Sequence, residues 1–444
     1  MNADWSSLTS EQKKQRRFEA WLNPPVEFVS PEAERSYKVR AQRFIDAYNL
    51  QKPDRVPVTF RVGNLPLELA GINYKTSIYD HQAAVAAFDR FNSLYSEELD
   101  LFAIPNTIPA KAFDILDYRL YRYPGHGLGD NNPGFQFVEG EYMMADEYDD
   151  LIRDPSDFWL RTYLPRIFHS LSPLNRLNPL TSIVEIVSVG LSPLADAGTR
   201  SMLKKVIEAG EEIEKEREID AGYALKGAAR GFPGGGMGIF CKAPFDVIGD
   251  TLRGTTGVMK DMYRQPEKLK KAMDVITDVM IANTLRQARS LAAYFATFPL
   301  HKGADGWMSQ KQFETFYWPT LKKVIDALIA EGILVICFAE GKFESRLPLI
   351  NEFPRGAVCW WFDQTDMVKA KKILGNNCCI QGNVPSSLLQ TGTPGDVEKY
   401  CRKLIEECGE DGGFILSPGA TPDYPKLDNL RAMVAAAREY GTYR

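Results

Sequence analysis

The sequence predicts an α/β chain folded as a (β/α)8 TIM barrel, and three observations predict it. In the second half, short apolar runs each end in small and polar residues, and a helical stretch follows each one. Five such units follow one another, and three earlier strand candidates bring the total to eight. The polar residues also fall at the carboxyl ends of the runs, the face on which a parallel barrel builds its sites.

Taken in order, residues 1–50 read as a polar, helical N-terminal extension around the Pro24-Pro25 break. Pro57 to Val62 is the first strand, a helix runs across Gln82 to Leu99, and Leu101 to Ile104 is the second strand. Residues 117–150, rich in Gly, Pro and Asp, form an irregular stretch long enough for a functional loop or lid. A mainly helical insertion, 150–235, then separates the second and third strands. Within it Lys204 to Lys226 carries Glu and Lys at helical spacing, the mark of a solvated face.

The glycine-rich run Gly231 to Gly236 breaks that helix and leads into Met237 to Cys241, the third strand. The run precedes a strand, whereas a phosphate cradle opens a helix, so no nucleotide is expected. The fourth unit ends at His301-Lys302-Gly303-Ala304-Asp305. Ile333 to Phe338 closes on Glu340-Gly341, and Val358 to Phe362 on Asp363. Cys379-Ile380 closes on Gln381-Gly382-Asn383, and Phe414 to Leu416 on Ser417-Pro418-Gly419. The barrel thus occupies 51–444.

Net charge is −5 with mixed signs throughout, so no basic face points to nucleic acid or anionic lipid. No apolar run reaches the ~18 residues that a spanning helix needs, and the N-terminal residues lack a signal-peptide core. The seven cysteines form no CxxC pair and lie mostly in apolar contexts, as in a reducing cytoplasm. Cys378 and Cys379 share a strand, so their side chains point opposite ways and read as buried thiols.

His301, Glu340 and Asp363 end three consecutive strands. One imidazole and two carboxylates suit a divalent metal such as zinc, or a general acid/base pair. The competing reading is that such carboxylates cap helices, and Asp363-Gln364-Thr365-Asp366 has the look of a helix start. Lys302 and Asp305 neighbour this group, and Asp246 and Asp250 follow the third strand; a polar pocket accommodates them better than an apolar core. Asp250 and Lys302 join the catalytic candidates. Asp246 and Asp305 join the substrate-binding ones, together with Gln381 and Asn383. Arg61 matches a substrate carboxylate bidentately, or else makes a surface ion pair. Trp307, Phe338 and one of Trp360 and Trp361 supply walls, and Trp361 is the substrate-facing candidate.

From Asp54 to Gly441 the chain resembles the uroporphyrinogen decarboxylase superfamily. The likeness is carried by Arg55-Val56-Pro57-Val58, Lys242-Ala243-Pro244-Phe245, Gln381-Gly382-Asn383-Val384-Pro385 and Gly413 to Gly419, with Asp423 to Gly441 as a closing helix. The resemblance implies a (β/α)8 barrel, often a homodimer. It implies either tetrapyrrole decarboxylation or methyl transfer by zinc enzymes working with corrinoid proteins or thiols. Neither residue set is intact. The decarboxylase run Arg-Gln-Ala-Gly-Arg is here Arg61-Val62-Gly63-Asn64. Its catalytic Asp falls near Asn106-Thr107, its Tyr on Asp250 and its His on Pro418. The methyltransferase motif His-x-Cys-Gly places Phe338 at the His and Glu340 at the Cys, and Ala420 stands at the final Cys.

The resemblance therefore implies a cytoplasmic enzyme with a rewritten site acting on a small molecule. The first expectation is methyl or one-carbon transfer with a corrinoid protein as partner, assisted by a metal on His301, Glu340 and Asp363. The alternatives are a decarboxylase-like lyase for a porphyrin-like or smaller carboxylic acid, with Asp250 or His301 moving protons, and a non-catalytic ligand-binding barrel.

Overall fold

In the computed structural model, residues 5–179, 192–234 and 238–443 are described. Gly235, Gly236 and Met237, within the expected glycine-rich break and third strand, lie outside them. A small sheet forms within the long irregular stretch. In it β1 (Tyr121–Pro124) pairs parallel with β2 (Gly127–Leu128) and antiparallel with β3 (Gln136–Phe137). The main sheet is wholly parallel, in the order β4-β5-β6-β7-β8-β9. Its strands are β4 (Gly238–Phe240), β5 (Phe295–Leu300), β6 (Leu334–Ala339), β7 (Val358–Phe362), β8 (Cys379–Val384) and β9 (Phe414–Pro418).

These strands are near-continuous apolar runs because both faces of the sheet are covered. On one face Val335, Cys337, Val358, Trp360 and Phe362 pack into the core beneath the connecting helices. On the other, Leu334, Ile336, Cys359, Cys379 and Ile415 meet Phe18, Trp21, Tyr37, Phe44 and Tyr48 of the N-terminal helices Ser10–Leu22 and Pro31–Tyr48. The extension is thus a plug beneath the sheet. Strand alternation sends Cys378 and Cys379 to opposite faces, as expected, and all seven cysteines are buried free thiols.

The two earliest predicted strands differ from expectation. Residues 57–62 join β9 through a single parallel bridge, Val58 to Leu416, flanked by Thr59 N–H to Leu416 O and Leu416 N–H to Pro57 O, each 2.9 Å. Pro57 has no N–H to give, and Val58 N–H donates to the Asp100 carboxylate at 2.9 Å instead of to a neighbouring strand. Leu101–Ile104 forms no ladder: the Asn92 side chain accepts from Ala103 N–H at 3.0 Å and donates to Ala103 O at 2.8 Å. Side chains satisfy the backbone here, so regular pairing is not required.

The predicted insertion is helical where it is described, with short turns between Tyr148 and Arg176 and one long helix, Ala197–Ala229. No helix among the described residues is long and apolar enough to cross a membrane.

Candidate active site

The register places the carboxyl ends of β5, β6 and β7 level, with Leu300 beside Ala339 and Ala339 beside Phe362. His301, Glu340 and Asp363 therefore leave the sheet at the same height, as the spacing predicts. After β4, the chain turns through Pro244–Asp246 into a wide helical turn, Val247–Leu252. That turn carries Asp246 and Asp250 toward the end of β5.

Asp250 is the hub. Its carboxylate accepts from His301 Nδ1 at 2.7 Å and pairs with Lys242 Nζ at 2.7 Å and Lys302 Nζ at 2.9 Å. Burial opposes its charge, but these three donors hold it well below the usual carboxylate range. Because Asp250 stays ionised, the imidazole must donate from Nδ1, and its Nε2 lies 3.8 Å from Glu340 Oε2. Burial also works against a charged imidazole. The bond to Asp250 and the nearby Asp246 and Asp250 charges outweigh it, and His301 titrates above its ordinary range. With 36% of its side chain exposed, His301 is accessible to a substrate.

Asp246 corrects an expectation. It is fully buried and faces no substrate. It accepts from His301 N–H at 3.0 Å, Lys302 N–H at 3.1 Å and Tyr317 Oη at 2.6 Å, so it fixes the backbone that presents the imidazole. Burial and the neighbouring Asp250 charge push its carboxyl up to about 6. The adjacent acids thus divide: Asp246 up, Asp250 down.

The other strand-end carboxylates also serve the scaffold. Asp363 accepts Gly341 N–H at 3.1 Å, closing the turn after β6, where Gly341 has φ +80°. The following helix is capped instead by Asp366, on Lys369 N–H. Asp305 accepts Ser345 N–H and Oγ at 3.1 and 2.7 Å, clipping two loops together. Asn383 donates to Asp363 O and Thr365 O at 3.1 and 2.9 Å. Asp305 and Asn383, expected at the substrate, and Asp363, expected at the metal, thus tie loops together.

The expected metal set is not assembled. Only Glu340 approaches His301 Nε2, at 3.8 Å, and 54% of its side chain is exposed. Among the described residues no three His, Cys, Asp or Glu side chains gather as metal ligands. A catalytic zinc ordinarily takes three protein ligands. With Asp363 engaged by backbone and His301 Nδ1 by Asp250, the residues present do not fit one.

A second group lies across the sheet. The Arg61 guanidinium stacks on the Trp361 ring at 4.0 Å, and Trp361 packs on Phe338 at 4.2 Å. Trp361 Nε1 donates to Pro418 O at 2.9 Å, which fixes the indole. Gln381, in register with Trp361, donates to Ser417 Oγ at 3.3 Å. Burial lowers Arg61 to about 10, so it keeps its charge at neutral pH. Its Nε is buried and finds no acceptor among the described residues. A buried, unmatched guanidinium donor calls for an anionic partner.

Sequence reasoning missed Lys242, Thr255 and Tyr317 as site residues. Lys242 was findable by the strand-end rule, being the first charged residue after β4. Thr255, which accepts from Lys302 Nζ at 2.7 Å, and Tyr317 arrive from helices with no local signal. Trp307 lies under Lys302, its ring centre 5.5 Å from Nζ.

Residues 235–440 match the family model described as uroporphyrinogen decarboxylase (URO-D). Among curated proteins, the chain is similar to the uroporphyrinogen decarboxylases of Syntrophotalea carbinolica (29% identical over 214 residues) and Chlorobaculum tepidum (27% over 219). Each match takes in 47% of this chain, and it spans 58% and 59% of those relatives. A longer match, to the enzyme of Flavobacterium johnsoniae, is 23% identical and takes in 65% of this chain and 89% of the relative. A solved methyltransferase from Methanosarcina mazei shares the fold, with a TM-score of 0.56, 14% identity and coverage of 90% of this chain and 98% of that one. Over residues 235–440, just under half of this chain, the likeness is to the uroporphyrinogen decarboxylase family.

Proposed function

We propose that the chain is a lyase that decarboxylates a small carboxylic acid, with His301 as general acid. In this reading residues 57–62 and 101–104 complete the sheet as a (β/α)8 barrel, and the substrate lies over its carboxyl-terminal mouth. The observation that carries the proposal is the His301–Asp250 pair at 2.7 Å, which commits Nδ1 and leaves Nε2, 3.8 Å from the exposed Glu340, as the ring's other nitrogen. The C–C bond to the departing carboxylate breaks, CO2 leaves, and the electron pair stays on carbon in the substrate's own π system. His301 Nε2–H then delivers the proton that completes the product, and water restores it. Arg61 would hold a second carboxylate. Lys242 and Lys302 keep Asp250 ionised, and Asp246 with Tyr317 holds the backbone of His301. Two of the cations at this edge are already committed to Asp250, which disfavours a tetrapyrrole with many carboxylates.

The test is CO2 release from a panel of small acids whose α- or β-carbon can hold an electron pair. No release from any of them, with porphyrinogen also inert, would sink the reading. Where an acid is turned over, the rate is expected to be full below the raised pKa of His301 and to fall as pH rises through it. Asp250→Asn removes the bond that raises that pKa, so the alkaline limb should move to lower pH. An unmoved limb would exclude His301 as the group observed. Arg61→Met is expected to raise KM about tenfold or more, by loss of a bidentate carboxylate contact. An unchanged KM would place the carboxylate elsewhere.

A second reading is methyl transfer to a corrinoid protein, with His301 protonating the oxygen that loses the methyl group. It is favoured by the open edge beside the site, where Phe240 is 71% exposed and Ile104 is also exposed. Methylation of cob(I)alamin, with no CO2 released, would decide for it.

A further inference from the structure

We propose that the substrate is an acid built on a single flat aromatic ring, which slots over β5 between Phe240 and Phe338 and beneath Phe137. The proposal rests on the lyase reading for its chemistry and on the strand register for its ring. Phe240, in β4, pairs with Thr297, and Thr297 with Ile336. Farther along that row Ile336, Cys359 and Cys379 are packed on the N-terminal helices. The plug stops short of the other end, where Thr297 is half-buried and Phe240 is 71% exposed. In the next row Pro299 and Phe338, also paired, are likewise half-buried. The opposite face of β5 is closed: Ala296, Phe298 and Leu300 are fully buried. An apolar trough thus runs along the inner face of β5, directly below His301. Because Phe240 belongs to that inner face, its exposure suits a substrate lodged against the sheet.

The width of the trough selects its occupant. β4 and β6 stand two strand spacings apart, about 10 Å, with only the short side chains of Thr297 and Pro299 between them. Aromatic rings pair at centroid distances of about 4.5–7 Å, so one ring over β5 reaches both Phe240 and Phe338. The charged ends match an acid with two carboxylates. His301 stands two residues beyond Pro299, at one end of the trough, beside the carboxylate that departs. Arg61, stacked on Trp361 behind Phe338, takes the second. The long irregular stretch supplies the roof. Asn64 Nδ2 donates to Pro133 O at 2.7 Å, and Tyr142 and Met143 N–H both donate to Leu252 O at 2.8 Å. Between these ties Phe137, 41% exposed, lies with its ring centre 5.9 Å from Lys242 Nζ. Lys242 follows directly on Cys241, whose N–H extends the β4 ladder to Thr297 O at 2.9 Å. Phe137 therefore overhangs the β4 side of the trough.

The test is calorimetric titration of the full chain with two unreactive acids of similar size, benzoate and cyclohexanecarboxylate. Benzoate is expected to bind at least about fivefold tighter, because only its flat ring can stack on both walls. Phe240→Leu and Phe137→Leu keep apolar area but lose a ring, and each should bring the two affinities to within about twofold. Arg61→Met should weaken both acids alike and leave their ratio unchanged. Equal affinities in the wild type, or a ratio that neither leucine variant moves, would overturn the proposal. CO2 release separates it from the reading beneath it. A benzoate preference with no CO2 from 4-hydroxyisophthalate or any other acid would uphold the ring site and sink the lyase. Release from open-chain acids alone, with no benzoate preference, would do the reverse.

Discussion

Replacing His301 by glutamine is expected to lower turnover by about 10²–10⁴-fold, the usual worth of a positioned general acid. Glutamine keeps a polar side chain of similar reach beside Asp250, while the titratable proton at Nε2 is lost. KM should change little, since in the proposed reading the substrate is held by Arg61, which stacks on Trp361. The measurement is steady-state kinetics on the acid identified by CO2 release, with the melting temperature as a control for folding. A variant retaining more than a tenth of wild-type turnover would move the acid role away from His301. A collapse in stability instead would mean that the imidazole is structural.

The second large effect concerns the scaffold. Asp100→Ala is expected to cost about 3–5 kcal/mol, because it leaves buried charge without a partner. Asp100 is 1% exposed and accepts from Arg43 at 2.6 Å, from Arg55 at 2.5 Å and from Val58 N–H at 2.9 Å. It therefore joins the N-terminal plug, residues 57–62 and the entry to 101–104 in one contact. Asp54 also pairs with Arg43 at 2.6 Å, but 52% of its side chain is exposed. Asp54→Ala should cost under about 1 kcal/mol, as exposed pairs do. Urea unfolding of the two variants makes the comparison, and equal losses would contradict the burial argument.

The five strands β5 to β9 were legible because strands covered on both faces must be apolar along their length, and such runs stand out. Residues 57–62 and 101–104 have similar composition yet do not form full ladders. Val58 and Ala103 pair instead with the side chains of Asp100 and Asn92, which no strand pattern reveals. Within the site, His301, Asp250 and Lys302 were found because each is polar where a strand or its following turn ends. The same rule also selected Asp363, Asp305, Asn383 and Asp246. Position along the chain tells that a side chain reaches the edge of the sheet, but not which way it turns there.

The sequence alone therefore determined the strand cadence, the parallel α/β class, the burial of the cysteines and the edge on which polar groups collect. These follow from local patterning, where period and polarity are set by residues a few positions apart. Only the tertiary structure decided that Asp250 holds His301, that Asp246 and Tyr317 hold its backbone, and that Asp363 closes a turn and joins no metal set. It alone decided that Arg61 is left with an unanswered donor. Each of these depends on contacts between residues far apart in the chain, and burial there decides which charge survives.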